Sequence, residues 1–260
     1  HLLPLALVVD AAGLSLSSAG SPRTSGNSSA VVGSPRVGVR GLCSPVDNED
    51  DCVALTSVYW ATGGKLNWTM DGTTSLCKWP GVKCKSGRVS QFIDYSQFKD
   101  APDIDGSLPT EISRLDKLTQ LVFTSQGLAG TLPGNIGELP SLTRLALSGT
   151  SISGSISGEL GKLSTLRELV LSDTKIDGSL PSALSECPDL KQILLDGSQI
   201  DGTLPPELAT MTKLKRLLLG KTRLDGTLPK GYHAFTSLEE LEISGTDVSG
   251  SLPAAWGTGA

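Results

Sequence analysis

Residues 166–189 read LRELVLSDTKIDGSLPSALSECPD, and the same pattern recurs along more than half of the chain. Six leucines occupy its first position at a spacing of 24 residues: Leu118, Leu142, Leu166, Leu190, Leu214 and Leu238. Seven glycines keep the same spacing: Gly106, Gly130, Gly154, Gly178, Gly202, Gly226 and Gly250. A fixed period of this length indicates a solenoid in which each repeat forms one turn.

The side chains of one repeat predict its path through the turn. Leu169 and Leu171 alternate with Val170 in a short strand, so the two leucines point into the core and Val170 points out. Ile176 returns to the core, and Gly178 allows the backbone to bend. No single turn can bury its apolar face, so neighbouring turns must stack. The fold class predicted is therefore an α/β repeat solenoid, with short parallel strands on the concave face and turns or 3₁₀ segments outside.

Composition and charge exclude several classes of function. The chain has 260 residues and a formal charge of −5, which gives no basic stripe for nucleic acid. The two histidines, His1 and His233, are too few for a multi-histidine metal site. Repeat acids such as Glu111, Glu159 and Glu207 fall on separate turns, so no pairing of nucleophile and base emerges. We predict no enzyme activity, no catalytic residue, no metal and no cofactor.

Four of the five cysteines cluster near the amino end of the repeats, at Cys43, Cys52, Cys77 and Cys84. An even cluster of this kind predicts two disulfides in a secreted chain, whereas a zinc site needs closer pairs or nearby histidines. Four cysteines allow three connectivities, and their positions alone do not choose among them. Cys187 occupies a core position of its repeat, where a buried thiol is expected and a reactive thiol is the alternative.

The amino end predicts secretion. Residues 1–13 hold an apolar run followed by small residues, as in the remnant of a signal peptide, although a buried segment is the alternative. Residues 14–42 are rich in Ser, Gly and Pro and predict a disordered leader. In an extracellular or cell-surface protein, the sequons at Asn67 and Asn27 are candidate glycosylation sites.

The repeat closely resembles the plant-type leucine-rich repeat found in receptor-kinase ectodomains and in inhibitors of secreted enzymes. Before the repeats, CKWPGVKC at residues 77–84 resembles the Cys-x-Trp-x-Gly-Val-x-Cys signature of that family's amino-terminal cap. This resemblance implies a disulfide-stapled cap over residues 43–88, followed by about seven repeats over residues 89–260. In such caps the two signature cysteines are bonded, which implies a Cys77–Cys84 disulfide and leaves Cys43 with Cys52.

The wording of the repeats also resembles kinetoplastid surface antigens, in the Gly-Thr/Ser-Leu-Pro segments and in Trp256 after LPAA. The last repeat stops at Ala260 before completing its turn, so we expect the natural protein to continue. A membrane span or a lipid anchor in that continuation would provide the predicted contact with a membrane.

The chain departs from the family pattern in two places. The position usually held by Asn carries other polar residues, which predict a ladder of hydroxyls: Gln126, Thr150, Thr174, Ser198, Thr222 and Thr246. Five extra residues near Lys99–Pro102 predict a bulge in the first repeat. In the cap, Trp60, Trp68 and Trp79 are expected to pack inside, with sugar stacking as the alternative for one of them.

The outward strand positions define the candidate ligand face. Their middle column is apolar in five of six repeats: Val122, Ala146, Val170, Leu194, Leu218 and Glu242. An apolar strip flanked by alternating charge suits a protein or peptide partner, although strand-forming residues without a ligand are the alternative. The predicted ligand-binding residues are Arg144, Glu168, Val170, Gln192, Leu194, Arg216, Leu218, Glu240 and Glu242. The predicted function is extracellular recognition by a receptor-like ectodomain; a surface antigen or adhesion protein and a soluble enzyme inhibitor are the alternatives.

Overall fold

The computed structural model describes residues 41–94 and 104–251 of the chain. The predicted signal-peptide remnant, nearly all of the predicted leader, Asn27, the insertion near Lys99–Pro102 and Trp256 lie outside the described residues. The described residues form helix α1 (Glu49–Ala61), seven 3₁₀ helices and fourteen strands. The strands in chain order are β1 (Val82–Lys85), β2 (Arg88–Ile93), β3 (Gly106–Ser107), β4 (Gln120–Val122), β5 (Leu128–Ala129), β6 (Arg144–Ala146), β7 (Ser153–Ser155), β8 (Glu168–Val170), β9 (Lys175–Ser179), β10 (Gln192–Leu194), β11 (Gln199–Thr203), β12 (Arg216–Leu218), β13 (Arg223–Asp225) and β14 (Glu240–Glu242).

The concave sheet contains eight strands in the order β1-β2-β4-β6-β8-β10-β12-β14. β1 and β2 form an antiparallel hairpin in the cap, and every later strand joins in parallel. Between repeats the register equals one repeat, as in Gln192 opposite Arg216. Gln91 lies opposite Gln120, which is five residues more than one repeat and agrees with the predicted extra residues. Equivalent side chains of successive repeats therefore lie side by side on this sheet.

The core fills the space between this sheet and the convex 3₁₀ helices. Leu169 and Leu171 are fully buried and Val170 is half-buried, which confirms the alternation predicted for the strand. On the convex side, Leu184 is fully buried by the 3₁₀ helix that carries it. The convex helices are Thr110–Arg114, Gly134–Glu138, Gly158–Lys162, Ser182–Glu186, Pro206–Thr210 and Lys230–Ala234, and the seventh, Leu76–Lys78, lies in the cap. The predicted solenoid of short concave strands and outer 3₁₀ segments is confirmed.

A second parallel sheet, here called the lateral sheet, was not predicted. It runs in the order β13-β11-β9-β7 along one side of the solenoid, and β3 and β5 pair in the same way nearer the cap. The glycine column allows the turns to approach closely here, because a Cβ on Gly130 would lie 2.9 Å from the Cβ of Ser107. Gly130 also has a φ of +76°, which disfavours any residue with a side chain. The 24-residue glycine spacing therefore reflects a close approach between turns in addition to a bend.

The cap closes the first turn of the core. Its cysteines form the disulfides Cys43–Cys52 and Cys77–Cys84, the pairing that the family resemblance implies. Trp68 and Trp79 are buried with ring centroids 4.8 Å apart, as predicted. The prediction for Trp60 was wrong, since its side chain is 53% exposed. The last turn of α1 directs Trp60 away from the core, where it makes an edge contact with Tyr59.

A buried carboxylate joins the cap to the repeats. Asp51 on α1 is fully buried and accepts hydrogen bonds from the Arg88 guanidinium at 2.9 and 3.0 Å. It also accepts one from the buried backbone N–H of Val89 at 2.8 Å. Arg88 in turn donates to Asp116 in the first repeat. Because Asp51 is the one partner shown for all three donors, it fixes the helix to the hairpin.

The column of hydroxyls does not form the predicted ladder between turns. Thr150, Thr174, Ser198 and Thr222 are buried, and each hydroxyl donates to the carbonyl three residues earlier in its own repeat, at 2.6–2.8 Å. A short hydroxyl cannot span the gap between turns that an Asn side chain can bridge. In the first repeat, Gln126 is exposed and the neighbouring Ser125 bonds instead to Ile104 of the preceding turn.

Candidate ligand-binding face

The apolar stripe, defined as Val122, Ala146, Val170, Leu194 and Leu218, crosses five adjacent strands of the concave sheet. Each residue lies opposite the next in register, and Leu218 lies opposite Glu242 on the last strand. At about 4.8 Å between strands, the stripe and Glu242 together extend about 24 Å. A row of that length matches an extended segment of seven or so residues.

The stripe is not equally open along its length. Val122, Val170 and Leu194 are half-buried, whereas Ala146 is 5% exposed and Leu218 is 9% exposed. Ala146 is short and lies between two valines, whose side chains cover it. Leu218 lies beside Glu242, whose side chain is folded back toward the same strand. The accessible apolar surface is therefore concentrated at Val122, Val170 and Leu194.

One flank of the stripe carries charges that pair between neighbouring repeats. Arg144 pairs with Glu168 at 3.1 Å, and Arg216 pairs with Glu240 at 2.6 Å. These side chains are about one third to one half exposed, so each pair contributes on the order of 1 kcal/mol or less to stability. Gln192 lies between the two pairs. Because each charge already has a partner, this flank offers hydrogen bonding more than a net charge.

The opposite flank is lined by small side chains, which leaves the stripe accessible from that side. The flank consists of Thr124, Ser148, Ser172, Asp196, Gly220 and Ser244. Ser172 donates a hydrogen bond of 2.7 Å to Asp196. Gly220 is buried, and its missing side chain leaves the space that the Glu242 side chain occupies. The sequence columns gave no sign of this contact, because it joins two different positions of adjacent repeats.

The structure does not bring the remaining polar candidates together. Glu111, Glu159 and Glu207 lie at the starts of three separate convex helices. His233 is exposed on another, with Nδ1 2.5 Å from the carbonyl of Lys230. Across residues 41–94 and 104–251, no group of three potential ligands is arranged to hold a metal ion.

Cys187 is 2% exposed, and desolvation raises the pKa of its thiol to about 11. The buried environment matches the expected core role and disfavours the thiolate that a reactive cysteine needs. Asn67 is exposed in the cap, next to the buried Trp68. Within the described ranges, no helix has the length and apolar character needed to cross a membrane.

Comparison with known proteins agrees with this architecture. A model of the Leucine Rich Repeat family matches residues 165–187. The curated protein MALE DISCOVERER 2 of Arabidopsis thaliana is 36% identical over 62 residues, which cover 24% of this chain and 8% of that protein. The chain thus spans a small part of the length of this relative.

Solved structures match a larger part of the chain. A plant ice-binding protein is 26% identical with a TM-score of 0.71, over 79% of this chain and 66% of that one. The ectodomain of the Arabidopsis receptor kinase HAESA, solved in complex with an IDA peptide hormone ligand, is 25% identical with a TM-score of 0.57. That match covers 80% of this chain and 43% of the other. The chain therefore has the leucine-rich-repeat fold, with an amino-terminal cap, and resembles plant receptor ectodomains.

Proposed function

We propose that this chain is an extracellular or cell-surface recognition module that binds a protein or peptide ligand on its concave face and has no catalytic activity. The observation that carries the proposal is the apolar stripe, which stays partly open on a sheet otherwise lined by polar side chains. Open apolar surface in a concave position is typical of binding sites. The HAESA ectodomain, a similar solenoid, was solved with a peptide hormone.

The proposed ligand site comprises the stripe and the flank of paired charges. Val170 and Leu194 would supply the apolar contact. Arg144, Glu168, Gln192, Arg216 and Glu240 would supply hydrogen bonds along one edge. Leu218 is largely covered and would contribute little until Glu242 moves.

Three features of the proposal concern the cellular setting. A secreted chain would explain the two disulfides, because such bonds persist mainly in oxidising compartments. Asn67 is exposed and would accept a glycan there. A surface antigen or adhesion protein and a soluble inhibitor of a secreted enzyme would use the same concave face.

The test is a binding experiment with the double variant Val170→Glu and Leu194→Glu. Both side chains are half-buried on the sheet surface, so the variant is expected to keep its fold, whereas a charge at Leu218 would be buried. The matched control is Ser155→Glu with Ser179→Glu, which adds the same charge on the exposed lateral sheet. The probe is a random heptapeptide library displayed on phage, since multivalent display retains weak binders.

The expected result is enrichment of one set of peptides by the parent and by the lateral control, and loss of that set with the concave variant. Circular dichroism must show that all three proteins are folded. If the concave variant selects the same peptides as the parent, the concave face is not the binding site and the proposal fails.

A further inference from the structure

The last strand of the concave sheet carries three acids with different surroundings. Glu239 pairs with Lys215 at 2.5 Å, and Glu240 pairs with Arg216 at 2.6 Å. Glu242 has no lysine or arginine nitrogen within 4.0 Å among the described residues, and its contact shown is a hydrogen bond of 2.9 Å donated by Ser244. It is thus an acid of this strand whose charge is left without a cation.

Glu242 is held over the preceding strand by the absence of a side chain at Gly220. A Cβ built on Gly220 would lie 3.0 Å from Glu242 Oε1 and 3.2 Å from its Cδ and Cγ. The equivalent position in the two repeats before carries Ser172 and Asp196. The backbone of Gly220 does not adopt a positive φ, so glycine is required here by the space that Glu242 occupies.

This arrangement places a carboxylate at one end of the apolar stripe. Glu242 lies in the same column as Leu218, Leu194 and Val170, one strand farther along. Packing against Gly220 and Leu218 removes water from one side of the carboxylate, which strengthens its attraction for a cation. The remaining exposed side faces the surface on which the ligand is proposed to lie.

We infer that Glu242 selects the ligand: the concave face takes an extended peptide segment with a lysine or arginine at Glu242 and apolar side chains along the stripe. The inference rests on the proposed function and adds the chemistry of the partner. An ammonium or guanidinium group supplies the charge that Glu242 lacks, and apolar side chains cover Leu194 and Val170. A neutral or acidic residue at that end leaves the carboxylate unpaired or repelled.

Strand geometry gives the spacing of the recognised segment. From Glu242, Leu194 is two strands away and Val170 is three, or about 9.6 and 14.4 Å. In an extended peptide, residues on one face recur every 6.8 Å or so. A cation at Glu242 therefore places the second residue along between Leu218 and Leu194, and the fourth close to Val170. The expected pattern is basic, any, apolar, any, apolar.

The test uses the same phage-displayed heptapeptide library with three single variants of the full chain. Glu242→Gln removes the charge and keeps the shape. Gly220→Ser keeps the charge but displaces the carboxylate, because the new Cβ falls within 3.0 Å of it. Glu239→Gln is the control, since it removes an acid that is paired on the same strand.

The parent and Glu239→Gln should enrich lysine or arginine at the position two residues before an apolar residue by about threefold to fivefold, the range expected of one partly exposed ion pair. Glu242→Gln and Gly220→Ser should lose that enrichment and keep the apolar one. If all four proteins select basic residues equally, the inference is wrong while the concave binding site stands. If selection does not depend on Val170 and Leu194, the proposed function fails and the inference fails with it.

Discussion

Replacing Asp51 by Asn should destabilise the protein far more than the same change at its neighbour Asp50. Asp51 is fully buried and accepts three hydrogen bonds, two from Arg88 and one from the N–H of Val89. Hydrogen bonding to Asp51 is also the main cause of the raised pKa of the Arg88 guanidinium. In the variant, the amide removes the negative charge and presents its own donors to donors that are already in place.

The magnitude follows from these contacts. Breaking a fully buried ion pair costs about 3–5 kcal/mol, and a buried N–H left without an acceptor costs about 1–3 kcal/mol. Arg88 is 24% exposed and keeps its bond to Asp116, so the lower part of the range applies. We expect a loss of about 3 kcal/mol in the free energy of unfolding. For a chain of this size that is a fall in Tm of about 6–12 °C.

Thermal unfolding followed by tryptophan fluorescence is a suitable assay, because Trp60, Trp68 and Trp79 lie in the cap that Asp51 holds. The control, Asp50→Asn, breaks an exposed pair with Arg114 and should cost about 0.5 kcal/mol or less. Equal shifts in Tm for the two variants would refute the reasoning, since they would show that burial and the three donors contribute nothing.

Three further changes test other parts of the structure. Replacing both Cys77 and Cys84 by Ser opens a short covalent loop, and the loop-entropy relation predicts a loss of about 2.5 kcal/mol in urea unfolding; an unchanged midpoint would contradict it. Burial raises the pKa of the Cys187 thiol to about 11, so the neutral form is favoured on folding and stability should fall as pH rises from the unfolded value of about 8.5 through 11. Unfolding of Cys187→Ala across that range should lack this component, and a parallel pH dependence in the two proteins would rule it out. Thr174→Val deletes a buried hydrogen bond of 2.7 Å and should cost about 1 kcal/mol, whereas Thr131→Val on the exposed lateral sheet should be close to neutral; comparable losses would count against the assigned role of the hydroxyl column.

The concave strands and convex helices could be predicted because burial follows the repeat. Leu169 and Leu171 are fully buried and Val170 between them is not, as alternation along a strand requires. The disulfide pairing needed the family resemblance, since four cysteines alone leave three connectivities open.

The lateral sheet could not be predicted from the 24-residue spacing, because its strands are offset from it. Asp177 lies opposite Ser155, and Asp201 lies opposite Ser179, each 22 residues apart. Aligning the repeats places like positions together and so hides contacts between unlike ones. The contact between Gly220 and Glu242 escaped prediction for the same reason.

Contacts outside the repeats depend on tertiary structure that no local pattern reports. Ser125 takes the bridging role expected of Gln126 because the first turn is longer than the others and alters the path of the chain. The direction of Trp60 depends on how α1 seats on the first turn, and its composition alone predicted burial. The role of Asp51 depends on Arg88, which lies 37 residues away in sequence.

The different registers of the two sheets constrain how a protein of this kind can grow by duplication of its repeats. On the concave sheet a copied repeat would place each charge about 4.8 Å from its own duplicate, where like charges repel. The charges there alternate instead, as in Arg144 beside Glu168 and Arg216 beside Glu240. On the lateral sheet, Asp177, Asp201 and Asp225 recur unchanged in three successive repeats, because each lies opposite a hydroxyl residue. After a duplication, selection would therefore act first on the concave strands, so new copies would diverge soonest on the face that is proposed to meet the ligand.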